Sequence, residues 1–126
     1  MEDIVYMGKI LIVDDSRLIR SVASAAVIEA GHEAIVAENG QEGLDILSRE
    51  KINIIFSDVN MPIMDGLEMV ENIKKNDKYK YMPIVMLTTE SNPDLKAKGQ
   101  ALGVKAWMLK PFNKKKFFMV VKKLMA

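Results

Sequence analysis

The spacing of apolar residues along the chain alternates between two periods, a strand pattern followed by a helical one five times over. Residues 9–13 (KILIV) are apolar at four successive positions. An unbroken apolar run of that length marks a strand covered on both faces. From Ser16 the spacing becomes helical. Leu18, Ile19, Val22, Ala23, Ala26 and Val27 share one face, Gly31 stops the helix, and Asp15 or Ser16 is placed to cap its start. Residues 33–37 predict a second, weaker strand. Asn39-Gly40 supplies a turn and cap for a helix over 41–50, with Leu44, Ile46 and Leu47 as its apolar side. Residues 52–57 (INIIFS) predict the third strand. Leu67, Val70 and Ile73 mark a third helix, and Tyr79-Lys80-Tyr81 belong to a loop. Residues 83–88 predict the fourth strand, with Pro83 at its first position, where a missing N–H is tolerated. Asn92 and Pro93 are an N-cap and an N1 proline for a weak fourth helix that contains Gly99 and ends at Gly103. Residues 106–110 predict the fifth strand, broken by Pro111. Asn113 caps a last helix whose face is Phe117, Val120, Val121 and Leu124. Residues 1–8 lack periodicity and read as a loosely ordered lead-in to one domain over 9–126.

Strand and helix thus alternate five times without a linker or repeat. Such alternation implies right-handed crossovers and an α/β architecture, a parallel sheet wound on both faces by helices. At 126 residues, 49% apolar and 28% charged, the chain suits one soluble folded domain. No apolar run is long enough to span a membrane. The first residues carry Glu2 and Asp3 where a secretory signal would be basic. Cysteine is absent, which excludes a disulfide framework and thiolate chemistry. The expected compartment is the cytoplasm.

Charge changes the picture only in its distribution. The net value is +1, but residues 1–90 carry 9 basic and 16 acidic side chains, whereas 91–126 carry 9 lysines and a single acid, Asp94. The basic end reads as a solvated helix face or a patch that steers an acidic partner. Basic residues are nowhere interleaved with aromatics in a nucleic-acid-binding pattern, so no nucleic-acid partner is expected.

Candidate chemistry sits at the strand ends. The third strand runs from apolar residues straight into Asp58, and Pro62 and Asp65-Gly66 bar its continuation. Asp14-Asp15 follow the first strand, Thr88-Thr89-Glu90 the fourth, and Lys110 closes the fifth. In a doubly wound sheet of order 2-1-3-4-5, strands one and three lie side by side at the switch point, where such folds bind ligands. Three carboxylates then converge, at a cost in mutual repulsion that a hard divalent cation relieves. Few protein ligands with retained waters suit Mg²⁺ better than Ca²⁺. Asp58 is the natural nucleophile of this set. Asp14 and Asp15 would hold the metal, while Lys110 and the Thr88 hydroxyl would meet a phosphoryl group. The product would be an aspartyl phosphate.

These segments resemble the receiver domain of two-component response regulators. They are Asp14-Asp15, Ser57-Asp58-Val59-Asn60-Met61-Pro62-Ile63-Met64-Asp65-Gly66, Leu87-Thr88-Thr89-Glu90 and Trp107-Met108-Leu109-Lys110-Pro111-Phe112. The likeness is strongest to the single-domain chemotaxis regulators called CheY and covers the chain from Lys9 onward. It implies a flavodoxin-like sheet of order 2-1-3-4-5 with five helices. Asp58 then resembles the phosphoacceptor. Asp15, Asp58 and the Asn60 carbonyl resemble direct Mg²⁺ ligands, with Asp14 acting through water. Thr88 and Lys110 resemble the phosphoryl-sensing pair, and Asn60 with Glu90 the positions that tune dephosphorylation. Trp107 matches the switch aromatic but departs from the usual Tyr or Phe. A buried indole N–H must find an acceptor, a condition this ring has to meet in order to lie inward.

The resemblance further implies a monomeric signalling protein rather than an enzyme. A histidine kinase similar to the chemotaxis kinase CheA would donate the phosphoryl group. A flagellar motor switch protein or another effector would bind the face made by helix four, strand five and helix five, and a phosphatase is a further possible partner. The alternative within this class is a phosphate sink for a shared kinase. A Mg²⁺-dependent phosphohydrolase using an aspartyl phosphate would want an acid where Asn60 stands. A nucleotide or flavin binder would want a glycine-rich loop where Asp14-Asp15 stand.

Overall fold

The structure, a computed structural model, describes residues 7–126. Of the expected lead-in, residues 1–6 lie outside the described residues. Gly8 is buried; its N–H donates to His32 Nδ1 at 3.0 Å and its carbonyl accepts from the Glu33 N–H at 2.9 Å. The elements that follow are β1 (Lys9–Val13), α1 (Arg17–Glu29), β2 (Glu33–Ala37), α2 (Gly40–Arg49), β3 (Ile54–Ser57), α3 (Gly66–Lys75), β4 (Ile84–Thr88), α4 (Pro93–Ala101), β5 (Ala106–Leu109) and α5 (Lys114–Met125).

All strand pairs are parallel, in the order β2-β1-β3-β4-β5. The central strands β3 and β4 are buried along their whole length, as their continuous apolar sequences require. Alternate side chains then define two cores. Leu11, Val13, Ile55 and Met86 pack with Ile46 and Leu47 of α2 and with Met69, Val70 and Ile73 of α3. Ile10, Ile12, Ile54, Phe56 and Val85 pack with Ala23, Ala26 and Val27 of α1 and with Phe117 and Val121 of α5. Phe56 and Phe117 anchor this second face, with ring centroids 4.5 Å apart.

Side-chain oxygens cap each helix as the sequence signals require. Ser16 accepts from the Ile19 N–H, Asn39 from Glu42, Asp65 from Glu68, Asn92 from Asp94 and Leu95, and Asn113 from Lys116. Of the two candidates for the first cap, Ser16 takes the position and Asp14 and Asp15 are left for the pocket. Three strand limits move inward from their sequence-based bounds. Ile52 is buried but precedes the ladder, because the Asn53 side chain accepts from the Lys9 N–H at 2.8 Å. Pro83 contributes only its carbonyl, to the Ile55 N–H. Lys110 lies one residue past β5, although its N–H still donates to the Thr88 carbonyl at 2.9 Å. The Lys110–Pro111 peptide bond is cis.

Candidate functional site

The pairing of β1 with β3 sets Val13 opposite Ser57. The residues that follow both strands, Asp14 and Asp58, therefore emerge together at the C-terminal edge of the sheet. The Asp58 N–H donates to the Val13 carbonyl at 2.9 Å. Beneath Asp58 the chain doubles back so tightly that Gly66, the first residue of α3, lies against the Asp58 carbonyl. A Cβ at that position would collide with the carbonyl, so only glycine fits. The Gly66 N–H donates to the Val59 carbonyl at 2.8 Å, and Asp65 caps α3.

Asp14 is almost completely buried and each of its polar groups is engaged. Its N–H donates to the Ala37 carbonyl and its Oδ1 accepts from the Ser16 N–H at 2.8 Å. Its Oδ2 meets Lys110 Nζ at 2.9 Å, and its backbone carbonyl accepts from Arg20 Nη1 at 2.8 Å. Asp58 accepts from the Val59 N–H at 2.7 Å and from Lys110 Nζ at 3.1 Å. Asp15 is exposed, and among the described residues no hydrogen bond or ion pair restrains its carboxylate. Carboxylate oxygens of Asp14, Asp15 and Asp58 nevertheless lie within 4.8 Å of one another.

Three carboxylates thus face a single ammonium in the pocket. Burial pushes the Asp14 carboxyl above its ordinary value. The Ser16 N–H and Lys110 oppose that rise, and the nearby Asp58 charge adds to it. Burial alone would lower the Lys110 ammonium. Its hydrogen bonds and charge contacts with both aspartates outweigh that penalty, so its pKa is raised. Both ends of the pair therefore shift upward: Asp14 is the more deeply buried partner, while Lys110 serves two anions. A pocket with this excess of oxygen anions suits a small, hard divalent cation, and the donor set fits Mg²⁺.

The remaining sequence-predicted residues surround the same edge. Thr88 is fully buried at the end of β4, and its Oγ1 accepts from the Glu90 N–H at 3.1 Å. Asn60 Nδ2 donates to Glu90 Oε2 at 3.0 Å, joining the loop after β3 to the loop after β4. Trp107 Nε1 donates to the Glu90 carbonyl at 2.8 Å. Its ring packs against the core beneath α4, and a Cβ on Gly99 would stand 3.0 Å from its Cζ3. The indole meets its need for an acceptor, and a glycine on α4 leaves room for its extra width.

A match to the model of the response regulator receiver domain covers residues 10–122. The chain belongs to that family. As a receiver domain it is 37% identical over 107 residues to a chemotaxis protein CheY homolog of Campylobacter jejuni, covering 83% of this chain and 82% of the relative. The structure resembles chemotaxis response regulator CheY4 of Vibrio cholerae, with a TM-score of 0.87, 39% identity, and coverage of 94% and 99% of the two chains. It also resembles the response regulator TrrA of Thermotoga maritima in complex with Mg²⁺ and beryllium fluoride. There the TM-score is 0.83 at 33% identity, covering 94% of this chain and 99% of that one. Receiver domains are signalling regulators that take phosphoryl groups from histidine kinases, and the acidic pocket of Asp14, Asp15 and Asp58 fits a phosphoacceptor site. Among the described residues no helix is long and apolar enough to cross a membrane.

Sequence reasoning did not anticipate Arg20. Its side chain is 14% exposed, and its guanidinium divides between the Asp14 carbonyl and Glu38 Oε1, the latter at 3.3 Å. A signal was present: α1 opens with Arg17 and Arg20 and has no acid in its first turn. Cations are unfavourable at a helix N-terminus unless a partner holds them.

Proposed function

We propose that this receiver domain, residues 9–126 following a short lead-in, takes a phosphoryl group on Asp58 from a histidine kinase similar to CheA. The convergence of Asp14, Asp15 and Asp58 with Lys110 carries this reading. Asp14, Asp15, Asp58 and the Asn60 backbone carbonyl are the residues that would hold Mg²⁺. Bound there, the ion would neutralise charge on the phosphoryl oxygens. One carboxylate oxygen of Asp58 attacks the phosphorus of a phosphohistidine. The P–N bond breaks, its electron pair stays with the imidazole, and an acyl phosphate forms. Lys110 already lies on Asp58 and stabilises the charge that arrives.

The added charge of about −1.5 to −2 draws in Lys110 and the Thr88 hydroxyl. Moving Thr88 disturbs the Glu90 backbone that its Oγ1 now holds, and with it the carbonyl to which Trp107 donates. The change reaches the face of α4, β5 and α5, where an effector binds. Asn60 and Glu90, bonded to each other across the pocket mouth, tune how readily water or a phosphatase removes the group. A chemotaxis role is supported by the likeness to the Campylobacter and Vibrio chemotaxis proteins; a motor switch protein as effector and a cytoplasmic monomer as the working form complete this reading.

The test is labelling by a small phosphodonor with Mg²⁺, followed by mass spectrometry. The wild type should gain one base-labile, hydroxylamine-sensitive phosphoryl group, and Asp58→Asn should gain none. Label persisting in Asp58→Asn would place the acceptor elsewhere.

A further inference from the structure

We infer that Arg20 is a positioning residue that sets divalent-cation affinity by fixing the peptide between Asp14 and Asp15. This rests on the reading of the acidic pocket as a Mg²⁺ site. Asp15 is the exposed member of the acidic trio, and nothing among the described residues grips its carboxylate. Its aim therefore depends on its backbone. Preceding it is the Asp14 peptide, whose carbonyl oxygen receives Arg20 Nη1 at 2.8 Å. The other arm of the same guanidinium reaches Glu38 in the turn between β2 and α2. Arg20 thus ties the turn after β1 to the neighbouring turn after β2. It limits rotation of the one peptide plane that decides where Asp15 points.

Charge and position make opposite demands here. A guanidinium beside an acidic pocket repels a divalent cation, so on charge alone removing it would tighten binding. If its work is to hold the Asp14–Asp15 peptide, removing it weakens binding. Residues that orient metal ligands typically contribute 10–100-fold in metal affinity. A contact made through the backbone of a ligand belongs near the lower end of that range.

Mg²⁺ titration followed through Trp107, the only tryptophan, and through the Mg²⁺-dependent rise in thermal midpoint separates these demands. Arg20→Ala is expected to need about tenfold more Mg²⁺, while labelling of Asp58 at saturating Mg²⁺ returns to the wild-type level. Arg20→Lys keeps the charge but has one donor nitrogen where two are used, and is expected to lie between wild type and Arg20→Ala. Glu38→Ala removes the ion pair but leaves the carbonyl bond, and should shift the midpoint less than about twofold. A wild-type or lower Mg²⁺ midpoint in Arg20→Ala overturns the inference. So does a loss in Glu38→Ala equal to that in Arg20→Ala, or labelling that saturating Mg²⁺ does not restore. A wild type with no response to Mg²⁺ in either measurement would instead remove the Mg²⁺ reading itself.

Discussion

Replacing Lys110 with alanine tests the electrostatic account of the pocket most directly. The Nζ atom lies 2.9 Å from Asp14 and 3.1 Å from Asp58, and all three side chains are at most 12% exposed. At an effective dielectric constant of about 20, each contact is worth roughly 5 kcal/mol of attraction before desolvation is charged against it. Removing one partner of a buried pair while the other charge stays typically costs about 3–5 kcal/mol. Total stability for a chain of this size is about 5–15 kcal/mol, so Lys110→Ala should remain folded in water with a much lower urea midpoint. At a slope near 2 kcal/mol/M the midpoint falls by about 2 M.

The pH dependence has a definite sign. The folded pKa of Lys110 is raised, so its contribution is fully present below its unfolded value and is lost only as pH rises through the folded one. Asp14 has a raised folded pKa, so the native state binds that proton more tightly than the unfolded chain does. Without Lys110 it binds it more tightly still. The penalty in Lys110→Ala should therefore be full at pH 7 and shrink as pH falls toward the carboxylate range. Urea unfolding of wild type and variant at pH 7 and pH 5, without metal, measures both. A loss below about 1 kcal/mol at pH 7, or a loss that grows at pH 5, would refute the account of Lys110 as the cation that makes this acid cluster tolerable.

Two further substitutions probe the scaffold. Gly66→Ala drives a methyl group into the Asp58 carbonyl; it should cost about 1–3 kcal/mol in urea unfolding and slow Asp58 labelling, because the carboxylate moves with its backbone. Gly99→Ala crowds the indole from α4 and should shift Trp107 emission to the red, with labelling of Asp58 unchanged. An unshifted spectrum would mean that the ring does not need that glycine.

The sheet was open to sequence reading because burial wrote itself into consecutive residues. β1, β3 and β4 are covered on both faces, and their continuous apolar runs follow from that. The caps at Ser16, Asn39, Asp65, Asn92 and Asn113 were equally plain, since each depends only on residues within one turn. Asp14, Asp58, Thr88 and Lys110 stood out as polar groups ending apolar strands, and the structure brings them to one edge. What the sequence hid were bonds between segments far apart in the chain. Arg20 to Glu38 and Asn60 to Glu90 have no periodic signature. Nor does the Tyr79 hydroxyl, which donates to the Leu47 carbonyl at 3.0 Å from a segment that read only as loop. The seat of Trp107 was hidden for the same reason: the acceptor is a backbone carbonyl, and any residue type could have supplied it.

Asp14 links the two cationic side chains of this site and separates their work. Lys110 grips its carboxylate, whereas Arg20 grips its carbonyl. Lys110 occupies oxygens that a divalent cation would also use, so its removal leaves three carboxylates unneutralised and should raise affinity for Mg²⁺. Arg20 occupies no carboxylate of the trio, and its removal should lower that affinity by loosening Asp15. Two variants that each delete one positive charge from one pocket are thus expected to move Mg²⁺ binding in opposite directions. General electrostatics would move both the same way. The divergence follows only if one cation neutralises the acids and the other aims them.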